Sequence, residues 1–268
     1  MEILRKMELK LNAKGEAYKE FYGKNIEQMP KLVAEGRVPM SVAGLMQRRL
    51  DVRNSDDKVK AAWMSHYFCT GDAVIYNPDG KVKIVLDSEN LRNVTPDTPR
   101  NSGALIVTPE AYDALQGEEF RKGKLGKIGD WITKKDVKAH PIWRALARDQ
   151  ALLNDYADYI FAEAKDSYGY DVAMGVFTYD TLFTGSAGED TPEMRAWIVD
   201  GLGGGSCAGG GVALEGGGCG NRLLGIAPEA QETNQTREAY EESLNPTDKN
   251  HEDNPVFYKP AESLEGKL

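Results

Sequence analysis

The sequence has little of what most reactive centres are built from. Three Cys and three His in 268 residues leave scant material for a metal cage or a disulfide framework, and no Cys-x-x-Cys occurs. No apolar run approaches the roughly 18 residues of a membrane-spanning helix. Basic charge is in deficit: 33 Lys and Arg stand against 42 Asp and Glu, a net charge of −9 that argues against nucleic acid as a partner. No G-x-x-x-x-G-K-[ST] string is found. The opening stretch, MEILRKMELKLNAKGEAYKE, breaks its apolar residues with charges every few positions. It lacks the pattern of a secretory signal, which favours a cytoplasmic or virion-associated location. The remainder is ordinary, with 41% hydrophobic and 28% charged residues, enough to bury a core without staples.

What is present in excess is glycine, in one place. Eleven of the 28 Gly lie between Gly201 and Asn221, in the string GLGGGSCAGGGVALEGGGCGN; the other 247 residues carry 17, a normal share of about 7%. A Gly/Ser linker would separate two domains. Here the flanks are aliphatic and core-like: Met194–Val199 before, Arg222–Ala227 after, each with the pattern of a short buried strand. Leu202, Ser206, Gly210 and Leu214 fall four apart, which suggests a fixed frame carrying interchangeable positions. A segment that is half glycine loses the most entropy on ordering, so its neighbours must hold it.

A Trp-bearing strand (Trp197), a window of near-arbitrary residues, then Gly220-Asn221-Arg222-Leu223-Leu224-Gly225 resembles the variable region of proteins diversified by diversity-generating retroelements, in particular those of archaea and archaeal viruses. In that family adenine-directed mutation scrambles selected codons, often of the form AAC, into NNC, which can encode Gly, Ala, Ser, Cys, Val, Leu, Asn, Asp, Tyr or Arg but not Lys, Met, Trp, Gln or Glu. The window conforms except at Glu215. The resemblance covers Met194 to Ala230 and implies an α+β fold, a C-type lectin-like domain with a helical N-terminal portion. It implies a non-catalytic, ligand-binding protein of receptor or adhesin type, with an exposed hypervariable face and no cofactor. The variable, ligand-contacting positions would be Asp200, Gly203, Gly204, Gly205, Cys207, Ala208, Gly209, Gly211, Val212, Ala213, Gly216, Gly217, Gly218, Cys219 and Asn221. The partner would be an unknown protein or surface ligand, and oligomeric state is left open. Calcium-dependent sugar binding does not carry over, because neither Glu-Pro-Asn, Gln-Pro-Asp nor Trp-Asn-Asp occurs.

The organisation expected along the chain is a mostly helical portion at 1–70, a lectin-like domain at 71–230 with its variable region at 199–221, and a polar acidic tail at 231–268. Glu16–Tyr22 and Ile26–Glu35 carry apolar residues at helical spacing, and Ser41 is placed to cap a helix over Val42–Leu50. Ala73–Leu86 reads as a hairpin about Asn77-Pro78-Asp79-Gly80. Ala104–Val107 is a strand, and Thr108-Pro109 opens a helix. Pro141 begins a single long helix to about Lys165, and loosely alternating strand and turn follow over Val172–Phe183.

Other chemistries are weaker. A phosphate could sit on backbone N–H groups of the 201–211 loop, giving a nucleotide binder or enzyme as the alternative, but no helix-forming run follows the loop. Gly204-Gly205-Ser206-Cys207-Ala208 approaches a nucleophile elbow without its last Gly. Its base would have to be His66, read as partly buried core, His140, read as a helix start, or His251 in the tail. Cys207 and Cys219 are twelve apart and are read as variable positions that became Cys, although a disulfide is open to them. Tyr156, Tyr159, Tyr168 and Tyr170 are read as core and helix-face residues rather than a stacking platform. The window holds adaptable Gly, Ser and Asn but no Tyr, Trp or Arg anchor, so this variant is expected to bind weakly or to have no cognate ligand.

Overall fold

A computed structural model describes residues 9–12, 16–178, 191–215 and 222–228. The described strands form a mixed sheet whose main path begins with β1 (Tyr18–Tyr22), next to the last strand, β12 (Arg222–Ile226). Then come β3 (Phe68–Tyr76), β10 (Glu193–Val199), β11 (Ser206–Val212), β9 (Met174–Phe177) and β8 (Asp130–Ile132). β2 (Val38–Pro39) joins β12, while β4 (Lys81–Val85) joins β3 and carries β7 (Glu118–Arg121). β6 (Ala104–Ile106) joins β10 and pairs with β5 (Arg100–Asn101). The α+β class expected from the sequence is the class observed.

Two cores lie on the two faces of this sheet, and the strands divide their side chains between them by the two-residue period. Every position of β3 is buried: Phe68, Val74 and Tyr76 enter one core, Cys69, Ala73 and Ile75 the other. β10 does the same with Trp197 and Val199 against Met194 and Ala196. The larger core is closed by α2 (Val42–Asp51), α3 (Asp57–Met64), α7 (Pro141–Ala147) and α8 (Gln150–Tyr168), which contribute Leu45, Trp63, Trp143 and Tyr156 among others. The smaller core is closed by α1 (Asn25–Ala34), α4 (Glu89–Arg92) and α5 (Pro109–Ala114), through Leu32, Leu91 and Tyr112. A short α6 (Lys134–Ala139) precedes α7. No described helix is long and apolar enough to cross a membrane.

Several local expectations are met. Ser41 accepts from Gly44 N–H at the start of α2, Thr108 from Ala111 N–H at the start of α5, and His140 occupies the N-cap of α7. The 73–86 hairpin is present, with Gly80 N–H donating to Asn77 O. Two expectations are corrected. Tyr18–Tyr22 is not helical: it lies antiparallel to β12, Phe21 opposite Leu223, because pairing to an otherwise open strand and the aromatic content of Tyr-Lys-Glu-Phe-Tyr outweigh a weak helical spacing. The helix expected from Pro141 to Lys165 is two helices. Arg148 turns left-handed (φ 64°), and Asp149 caps the second by accepting from Leu152 N–H. Arg148 holds that break by bonding the buried Asp72 at 2.9 Å and Asp87 at 2.6 Å.

Candidate functional site

The glycine window begins where β10 ends and supplies the next strand of the sheet. β11 runs antiparallel to β10 (Val199 beside Ala208, Ile198 beside Gly209) and parallel to β9 (Cys207 beside Gly175, Gly209 beside Phe177). Both edges of this glycine-rich strand are therefore paired, which is how its neighbours hold a segment that cannot order itself.

The four equally spaced frame positions are each buried and fixed. Leu202 and Leu214 sit in the larger and smaller cores, and Leu214 N–H donates to Gly103 O at 2.8 Å. Ser206 Oγ is bonded to Tyr156 Oη at 2.8 Å and accepts from Arg49 Nη1 at 3.1 Å. Arg49 is itself fully buried; its other donors reach Tyr156 Oη, Trp63 O and His66 O. Gly210 O accepts from Tyr76 Oη at 2.9 Å, and a Cβ at Gly210 would stand 2.7 Å from that oxygen and 3.1 Å from the Trp197 ring.

The positions between them are not an outward-looking surface, and the expectation of exposure is corrected for most. Gly205, Cys207, Ala208, Gly209 and Gly211 are buried, because a strand paired on both edges within a two-core sheet has little of itself left to water. Gly205 adopts φ +82°, and a Cβ there would meet the Trp131 ring at 2.4 Å, so backbone and neighbour both demand glycine. A Cβ at Gly209 would approach Ile198 Cγ1 to 2.9 Å. Gly203 is different: it is exposed, and the nearest atom to its would-be Cβ is Tyr168 Oη at 3.7 Å. Ala213 and Asp200 are partly buried, and Glu215 is exposed with an ion pair to Arg100. Gly204 lies in a 3-10 turn (Leu202–Gly204) and Val212 ends β11. Gly216, Gly217, Gly218, Cys219 and Asn221 lie outside the described residues.

The chemistry around the window is muted. Cys207 Sγ donates to Asp200 Oδ2 at 2.6 Å, and burial together with that carboxylate pushes the thiol well above its ordinary range. Burial also raises the Asp200 carboxyl, against the pull of the Cys207 hydrogen bond and Arg49. A thiol held protonated is a poor nucleophile. Two of the histidines considered as bases for Ser206 are bonded elsewhere, His66 Nδ1 to Ala62 O at 3.2 Å and His140 Nε2 to Lys127 O at 3.0 Å, and His251 lies outside the described residues. A phosphate cradle would need free amides, but Gly205 N–H goes to Leu202 O, Ser206 N–H to Ala173 O and Cys207 N–H to Gly205 O, and the rest of β11 lies within ladders.

What the sequence did not reveal lies beside the window. Trp131 and Phe177 meet edge to face, with ring centres 5.7 Å apart, on β8 and on β9, the strand that pairs with β11. Tyr168 and Tyr170, read as core or helix-face residues, are exposed and stacked on one another. A Tyr-Gly-Tyr string after a helix carries that signal, since a left-handed glycine folds the chain back on the last turn.

No protein-family model matches this sequence, and no curated protein matches it. Among solved structures, the chain is similar to one described as the accommodation of massive sequence variation in Nanoarchaeota by the C-type lectin fold. The likeness covers 81% of this chain and 100% of that one, with a TM-score of 0.56 at 16% identity. At that identity the likeness speaks to architecture, and the architecture is the C-type lectin fold.

Proposed function

We propose that this protein is a non-catalytic binding protein of receptor or adhesin type, and that its diversifiable face is narrower than the glycine window. One observation carries this: the described part of the glycine-rich window is built around β11, and Leu202, Ser206, Gly210 and Leu214 in and beside that strand are each pinned by the surrounding scaffold. A scaffold that orders so featureless a segment is one in which side chains at the open positions can change without loss of the fold. Those open positions are Gly203 and Glu215, with Ala213 at their margin. The inward positions 205, 209 and 210 belong to the frame. A retroelement origin fits the residue types of the window apart from Glu215, and the similar Nanoarchaeota structure, described by its massive sequence variation, supports the same idea by analogy.

The test is a pair of displayed libraries, one randomised at Gly203, Ala213 and Glu215, the other at Gly205, Gly209 and Gly210. Most members of the first should fold and yield binders when selected against a panel of immobilised proteins; the second should be dominated by unfolded chains. If the first library unfolds as often as the second, the proposed face is wrong. A reverse transcriptase gene beside this one, with a near-copy of its 196–225 coding stretch, is the expected genomic companion.

A further inference from the structure

The window lacks aromatic anchors, but the scaffold places two at its edge. α8 ends at Tyr168, and Gly169 follows in the left-handed conformation (φ 72°). There Gly169 N–H donates to Lys165 O at 3.0 Å and Tyr170 N–H to Ala164 O at 3.2 Å, so the chain reverses tightly over the last turn. This fixed reversal lays the ring of Tyr170 against that of Tyr168, centres 5.7 Å apart and planes 14° apart. The pair is nevertheless open to water, at 44% and 46% exposure, with the exposed Val172 two residues on. Gly203, the open position of the window, stands beside Tyr168 Oη and offers no side chain to cover it.

The charges here are negative. Asp166 and Asp171 flank the pair in the chain, and both are exposed. Lys165, just before Asp166, is the neighbouring cation, and its 3.4 Å contact with Asp171 joins two largely exposed side chains, an interaction that water and salt make weak and exchangeable. The faces of aromatic rings carry negative potential. A planar guanidinium can lie on a Tyr face while its edge pairs with a carboxylate, which an ammonium does less well.

We propose that Tyr168 and Tyr170, with Asp171, form a preorganised anchor site for an arginine side chain of a partner protein, at the rim of the window beside Gly203. The proposal rests on the binding-protein reading and deepens it: fixed aromatic residues supply the affinity, and residue 203 adjusts who is admitted.

The experiment uses the full chain and three synthetic peptides, (Arg-Gly)4, (Lys-Gly)4 and (Glu-Gly)4, titrated by calorimetry at low and at physiological salt. The Arg peptide should bind, the Lys peptide more weakly, the Glu peptide not at all, and binding should weaken as salt rises. Tyr170→Ala should lower affinity for the Arg peptide about tenfold, as expected of an aromatic hot spot, with an unchanged melting temperature. Absence of binding to the Arg peptide, binding untouched by Tyr170→Ala, or equal binding of all three peptides would each overturn the site. Gly203→Trp separates the two ideas. If it alters affinity, stack and window form one face. If Arg binding depends on Tyr170 but ignores Gly203→Trp, the anchor site stands and the window is not part of the face.

Discussion

At the scale of single residues, the window divides into glycines that occur because nothing else fits and glycines that occur although much would fit. Gly210 is of the first kind, pressed by Tyr76 Oη and the Trp197 ring. Gly210→Ala should cost about 1–3 kcal/mol of overpacking, at roughly 2–4 °C of melting temperature per kcal/mol for a chain of this size. Gly203 is of the second kind, and Gly203→Tyr should stay within about 0.5 kcal/mol of wild type in the same thermal melt. A loss of comparable size at both positions would remove the distinction. Gly209 is nearer the first kind, since Ile198 Cγ1 stands 2.9 Å from its would-be Cβ. The four-residue spacing picked out four positions that are all buried, but not the whole frame, since Gly205 and Gly209 face inward as well. Which intervening glycines also face inward left no trace, since glycine looks the same in a core and in water.

At the scale of elements, the legible signals were local ones: caps, the Asn-Pro-Asp-Gly turn, and aliphatic strands on either side of the window. The break between α7 and α8 was missed because Arg148 needs Asp72 and Asp87, 76 and 61 residues away, to hold its left-handed turn. The start of α7 carries a pH dependence. His140 is buried with Gly126 packed against its ring, and burial pushes its pKa below the ordinary value, opposed by its hydrogen bond to Lys127 O. The unfolded chain therefore binds a proton that the folded one resists. This contribution to stability is complete above about pH 6.5 and declines as pH falls from there towards the depressed folded value. His140→Gln, which can still donate to Lys127 O, should flatten the melting temperature between about pH 6.5 and 5, with the partly buried His66 and the burial-raised carboxyls of Asp72 and Asp200 contributing to what slope remains. An unchanged slope in the variant would show that His140 is not its source.

At the scale of the whole molecule, the helical N-terminal portion and the sheet share their cores. Leu45 and Trp63 pack in the same cluster as Tyr156 and Trp197, and β1 borders β12 through Phe21 and Leu223. A fragment of residues 71–230 should therefore lack near-ultraviolet circular dichroism and cooperative melting, whereas residues 1–230 should retain both; a cooperatively folded 71–230 fragment would show the two portions to be separable. The sequence by itself determined the α+β class, the strands flanking the glycine window, four of the buried positions within it and the poverty of catalytic side chains, because each is written in local pattern or in composition. Only the tertiary structure decided that β11 is paired on both edges, that most of its glycines face other atoms rather than water, and that the exposed aromatic rings stand beside the window instead of in it. Those outcomes follow from which distant segments meet, and a glycine, having no side chain, carries no record of what lies against it.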